Sequence, residues 1–179
     1  MHLITVGHGT LSQEGLGDLL GGAGLQCIVD VRTAPGSRRH PHVARAALAA
    51  WLPDLGIGYT WEPRLGGWRK PAIDSPNRAL RNPSFRGYAD YMQTPAFWGA
   101  LDDVLVQASQ APTAVMCSES VYWRCHRRLI ADAAELGRQV EVLHLGHDGQ
   151  SRPHRLTEGV RAVAGGLRYD VGVQLELKE

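Results

Sequence analysis

Cysteine is scarce in this chain of 179 residues: Cys27, Cys117 and Cys125 are the only three, and no two stand in Cys-x-x-Cys spacing. That excludes a disulfide framework and argues against a thioredoxin-like centre or a zinc ribbon. Long apolar runs are missing too, with no segment approaching the roughly 20 residues that span a bilayer. Only His2 precedes the first apolar residues, without a basic n-region or a small-residue cleavage pattern, which predicts a cytoplasmic protein with no membrane partner. Charge of one sign is not in excess either. Nineteen Lys and Arg oppose 18 Asp and Glu for a net charge of +1, so overall charge selects no partner. The GHGT run at residues 7–10 lacks the spacing of G-x-G-x-x-G and of a Walker loop, and no cofactor or metal is assigned.

What is present is a mass of 19.5 kDa and 44% hydrophobic residues, enough for one domain with a sizeable core. HLITV at 2–6 reads as an opening strand, and Ser12 as an N-cap ahead of a short helix that Gly21, Gly22 and Gly24 end. A second apolar strand runs from Cys27 to Val31. Further helices are expected over Val43–Leu52, around Phe85–Met92, over Pro95–Ala108 and over Arg124–Leu136, with strands at Ile57–Trp61, Thr113–Met116 and Val140–Leu145. Close alternation of strand and helix predicts a compact three-layer, Rossmann-like α/β domain with a mainly parallel sheet over residues 1–150. Residues 62–84 read as a long loop, functional or mobile. Residues 151–179 are expected to form an extension packed on the domain or at a dimer contact, in which Tyr169, Val171, Val173, Leu175 and Leu177 alternate as an edge segment would.

Chemistry concentrates where strands end. Cys117 follows TAVM and precedes a helix N-terminus, where backbone N–H groups and Arg124 favour a thiolate. It is a candidate nucleophile, with a packing thiol as the alternative. His126 or His8 would move its proton, and Glu119 would position a donor or act as acid–base. Asp30 and Arg32 alternate at the end of the second strand, either as a structural ion pair or as a carboxylate that fixes an anion-binding guanidinium. Six residues separate Cys117 from Arg124, one more than a phosphatase cradle, and none is glycine. Cys125 and His126 could join Cys117 around zinc, but consecutive side chains on a helix diverge.

Basic residues cluster locally. Arg32 to Arg45 holds four arginines, two histidines and no acid, and 64–86 holds six basic residues against Asp74. These stretches suit an anionic small molecule or a nucleic acid, with Trp61, Trp68 or Tyr88 as stacking partners.

VGHGT, IVDVR with PGSRR, IGYTWEPRLGG, FRGYADYM, and VMCSE followed by RCHRRLIA resemble, in that order, the DUF488 family over roughly residues 1–145. The resemblance implies a compact α/β domain and a shared polar pocket without specifying a reaction. It marks His8, Asp30, Arg32, Leu65, Gly66, Gly67, Tyr88, Cys117, Glu119, Cys125, His126 and Arg127. GHGT in place of the commoner GHS-type opening removes a serine donor.

The leading expectation is a small cytosolic enzyme acting on an anionic, nucleotide-like or nucleic-acid-derived substrate. Cys117, His8, His126, Glu119 and Asp30 would carry the chemistry, and Arg32, Arg64, Tyr88, Arg124 and Arg127 would hold the substrate. A non-catalytic nucleic-acid-binding domain is the rival, and a metal-binding or structural dimer the third reading.

Overall fold

A computed structural model describes residues 1–172. Six strands form the sheet: β1 (His2–Gly7), β2 (Cys27–Asp30), β3 (Gly58–Trp61), β4 (Thr113–Cys117), β5 (Glu141–Leu145) and β6 (Ser151–Pro153). Their order is β3-β2-β4-β1-β5-β6, parallel throughout except for β6, which runs antiparallel to β5.

The two-residue period of each strand divides the core between the faces. Ile4, Val6, Ile28, Ala114 and Met116 meet α1 (Gln13–Gly22) and α2 (Arg45–Trp51) on one side. Leu3, Val29, Val115 and Cys117 meet α3 (Pro83–Tyr91), α4 (Pro95–Gln110) and α5 (Arg127–Arg138) on the other. Helices cover both faces of a mostly parallel sheet, which is the three-layer Rossmann-like arrangement. No helix among the described residues is long and apolar enough to cross a membrane.

Caps fix the helix starts where the sequence has the right side chains. Ser12 accepts from Gly15 N, Asn82 from Ser84 N and Thr94 from Phe97 N, with Pro83 and Pro95 opening α3 and α4. The helix expected from Arg124 starts later. Residues Tyr122–Arg124 make a 3-10 turn, Cys125 is extended (φ −122°, ψ 150°), and α5 begins at Arg127. The long 62–84 loop has little regular structure beyond a turn at Pro63–Leu65, and Asp90 of α3 pins it through Ala72 N, Ser75 Oγ and Asn77 Nδ2.

Beyond β6 the chain forms a hairpin of β7 (Val160–Val163) and β8 (Gly166–Tyr169) that packs against α5. The hairpin turns at Ala164-Gly165, ahead of the alternation, and of the alternating residues Tyr169 closes β8. Val173, Leu175 and Leu177 of that alternation lie outside the described residues.

Hydrogen bonds from this region run into the core. Tyr169 donates to Asp132 (2.9 Å), as do Thr157 N (2.8 Å) and His154 Nε2 (2.9 Å). With the carboxylate as final acceptor, the polarity of the chain is set: His144 Nε2–H donates to His154 Nδ1 (2.9 Å), and Thr5 Oγ1–H to His144 Nδ1 (2.6 Å). Tyr122 stacks on His144 at 3.5 Å. Burial foremost, with the neighbouring His154 and Arg127 adding to it, pushes His144 down to about 3. Below pH 6.5 the unfolded chain therefore takes up a proton that the folded chain refuses until about pH 3, so stability falls with pH across that window. Between pH 7 and pH 4 a His144→Asn variant should lose on the order of 3 kcal/mol less stability to urea than wild type, and equal losses would contradict the neutral His144.

Candidate functional site

Three neighbouring strands, β2, β4 and β1, end at one edge, and their continuations part there. The chain leaves β1 and β2 for the α1/α2 face but leaves β4 for the α5 face. Such a divergence opens a crevice at the carboxyl ends of the strands. A pocket of about 430 Å³ occupies it, walled by His8 after β1, Arg32 after β2, Cys117 at the end of β4, and His126 ahead of α5. Backbone bonds from His8 N to Cys117 O (3.0 Å) and Gly9 N to Ser118 O (2.9 Å) continue the strand pairing to the pocket edge.

Arg32 is held rather than free. Its guanidinium donates to Asp30 from Nε (2.8 Å) and Nη2 (2.5 Å), and Nη2 also donates to Val43 O (2.8 Å). Tyr59 donates a further bond to Asp30 (2.7 Å). The remaining nitrogen, Nη1, donates to His8 Nε2 (3.2 Å), so His8 is protonated at Nδ1, which donates to Gly9 O (2.9 Å). Burial foremost, and the neighbouring Arg32 charge, push His8 down to about 4. The one ring lone pair of this neutral histidine is engaged by Arg32, so its arrangement fits an orienting role better than that of a free base.

His126 is oriented oppositely. Nε2–H donates to Val31 O (3.2 Å), which leaves the Nδ1 lone pair facing Cys125 Sγ at 3.7 Å and Cys117 Sγ at 4.0 Å. The extended backbone at Cys125 makes this convergence work: both residues precede α5, so their side chains are not splayed by helical geometry. Tyr88, fully buried and donating to Leu65 O (2.8 Å), packs its ring against His126.

Behind the cluster lies Arg127, 1% exposed and with no carboxylate in salt-bridge reach among the described residues. It donates to Glu119 O, to Thr5 Oγ1 (3.5 Å) and to Cys125 Sγ (3.4 Å). A buried guanidinium needs a counter-charge, and Cys125 sulfur is the acidic group it touches. The neighbouring Cys117 thiol and the Arg127 charge draw Cys125 down, while the neighbouring Cys125 and burial push Cys117 up. These directions favour the first negative charge of the pair at Cys125, beside the guanidinium, over Cys117. A cluster of two thiols and an imidazole at strand ends can take up, hand on or share a proton, and can ligate a metal.

The sequence candidates therefore separate. His8, Arg32, Cys117 and His126 meet at the pocket, with Asp30, Tyr88 and Arg127 supporting them from behind. Arg64 is on the surface, paired with Glu62 (2.5 Å) and Asp103 (2.7 Å), while Arg124 and Glu119 are exposed and do not line the pocket. Sequence reading did not single out Arg39, His40, Ser37 and Ser118, which do line it. The acid-free 32–45 run was the only signal for Ser37, Arg39 and His40, and Ser118 had none beyond its place after Cys117.

Fold and site together define a Rossmann-like α/β domain with a buried Cys/His cluster at the open edge of its sheet. The chain belongs to the DUF488 family, described as a domain of unknown function, whose model matches residues 12–134. That span includes Arg32, Gly67, Cys117 and the Cys125–Arg127 run, but not His8. No curated protein and no solved structure matches the chain.

Proposed function

We propose that the protein is an enzyme that binds an anionic substrate in the pocket at the ends of β1, β2 and β4, with Cys117 and His126 at the reacting end. The observation that carries this reading is the lining itself. Arg32, Arg39, His40, Cys117 and His126 share one wall system with no Asp or Glu in it. Arg39 forms no ion pair among the described residues, so it is the cation available to a ligand, whereas Arg32 is committed to Asp30. Cys117 can pass its proton to Nδ1 of His126, whose other nitrogen is already anchored.

Trp68 supports a substrate that carries a flat ring as well as charge. It is 79% exposed at the pocket rim and sits at φ 49°, a left-handed conformation that a bulky residue adopts at a cost of about 1 kcal/mol or more. An indole presented this way offers a face for stacking. Among the other aromatics considered for nucleic-acid contact, Tyr88 is buried, and Trp61 is half-buried under Arg45 while donating to Arg32 O.

A thermal-shift panel of nucleoside phosphates, sugar phosphates and inorganic phosphate tests the reading. At about 100 times Kd a ligand adds about 2.7 kcal/mol, which is about 5 °C or more for a chain of this size. The shift should vanish in Arg39→Glu, and nucleoside phosphates should exceed inorganic phosphate unless Trp68 is replaced by alanine. No shift with any anion, or one indifferent to Arg39→Glu, would overturn the assignment. Tight, salt-sensitive binding of an oligonucleotide that survives replacement of Cys117 would favour the non-catalytic rival instead.

A further inference from the structure

Anion binding leaves unexplained why two cysteines and a histidine converge ahead of α5. Cys117 Sγ, Cys125 Sγ and His126 Nδ1 lie within 4.8 Å of one another, with the two sulfur–nitrogen separations at 4.0 and 3.7 Å. A tetrahedral zinc with Zn–S of about 2.3 Å and Zn–N of about 2.1 Å sets its sulfur–nitrogen pairs about 3.6 Å apart and its sulfurs about 3.8 Å apart. Movements of a few tenths of an ångström would bring the observed sulfur–nitrogen pairs onto those values.

We propose that Cys117, Cys125 and His126 bind one zinc ion, with a fourth coordination position open to the anion pocket. Two sulfurs and an imidazole are a soft donor set that suits zinc and disfavours magnesium or calcium. The surrounding groups prepare each ligand. His126 Nε2–H on Val31 O fixes the ring so that Nδ1 is the free donor atom, the arrangement by which metal-ligating histidines are held. Arg127 Nε–H on Cys125 Sγ supports the anionic form of that ligand.

Gly67 keeps the approach to Nδ1 clear, since a Cβ there would stand 3.1 Å from that atom. Cys117, His126 and Gly67 line the pocket whereas Cys125 does not. The site is therefore closed from behind and open in front, as in zinc centres that keep a place for water or substrate. Two thiolates neutralise the ion, and buried Arg127 leaves the assembly net positive, in keeping with an anion in front of it. The metal would offer that anion a Lewis-acid contact or a bound water.

The site rests on the anion pocket of the substrate reading but puts a metal where that reading has proton transfer from Cys117 to His126, and it has its own test. The full chain, prepared from zinc-supplemented medium under reducing conditions, should carry about one zinc per chain by plasma mass spectrometry. Cys125→Ser and His126→Ala should each lower zinc affinity by at least about 100-fold, with Cys27→Ser unchanged. Gly67→Ala, which leaves all three ligands in place, should weaken binding with a near-native thermal midpoint. The wild-type chain loaded with cobalt(II) should show the intense visible bands of tetrahedral thiolate coordination, a readout that does not depend on any variant folding. Substoichiometric zinc, a cobalt spectrum without thiolate bands, or a Cys117–Cys125 disulfide in the reduced preparation would each overturn the site. A phosphate-induced thermal shift lost in Arg39→Glu would stand regardless, so the two readings fail separately.

Discussion

Alanine at position 7 is expected to abolish the native fold, because a methyl group there has nowhere to go. Gly7 is the last residue of β1, paired with Cys117, and its open side is filled by the 118–121 turn. A Cβ would fall inside the van der Waals envelope of the Glu119 carbonyl oxygen and 2.7 Å from Arg127 Nη2. The carbonyl belongs to the backbone and itself accepts from Arg127, so neither neighbour can yield alone. The loss should exceed about 4 kcal/mol, beyond what ordinary surface substitutions reach. Circular dichroism and urea unfolding of Gly7→Ala would check it. A variant within about 1 kcal/mol of wild type would show that the turn can relax after all.

Asp30→Ala should cost nearly as much, about 3 to 5 kcal/mol, for an electrostatic reason. Asp30 is fully buried and receives Arg32 Nε, Arg32 Nη2, Arg32 N and Tyr59 Oη. Its removal would strand the Arg32 cation in a site 6% exposed. Removing both charges in Asp30→Ala/Arg32→Met should return part of the loss, and Tyr59→Phe alone should cost only about 1 kcal/mol. Denaturant unfolding of wild type, Asp30→Ala, Arg32→Met and the double variant completes the cycle. A double variant no more stable than Asp30→Ala would mean that packing, not the unpaired charge, sets the loss. Because Arg32 Nη1 also holds His8, Asp30→Ala should additionally loosen the orientation of that imidazole.

Much of the scaffold could be read before any coordinates. HLITV, CIVD and TAVMC are apolar runs of strand length, and their alternation with helical periodicity carries the parallel sheet. The strand end places Cys117 at the crevice, and the paired positions 30 and 32 do form their ion pair. The Cys125–His126 convergence was illegible because it depends on one backbone angle pair at Cys125, which delays the helix by three residues. Arg64 and Arg124 share composition with Arg39 but not placement, since local charge density does not say which way a loop faces. The buried relay from Thr5 to Asp132 left only a faint trace, single polar letters in VLHL and IADAA where apolar ones would pack.

The contact from His126 to the Val31 carbonyl bears on how this family would look under saturation mutagenesis. A peptide oxygen is common to all twenty residues, so no substitution at position 31 deletes it, and a scan scored on side chains would pass over the group that selects the imidazole tautomer. Sensitivity should surface displaced, in changes that slide or tilt β2 relative to β4. The proton inventory at the cluster is thus inherited from strand alignment, and homologues with unrelated residues at that position could retain the same chemistry.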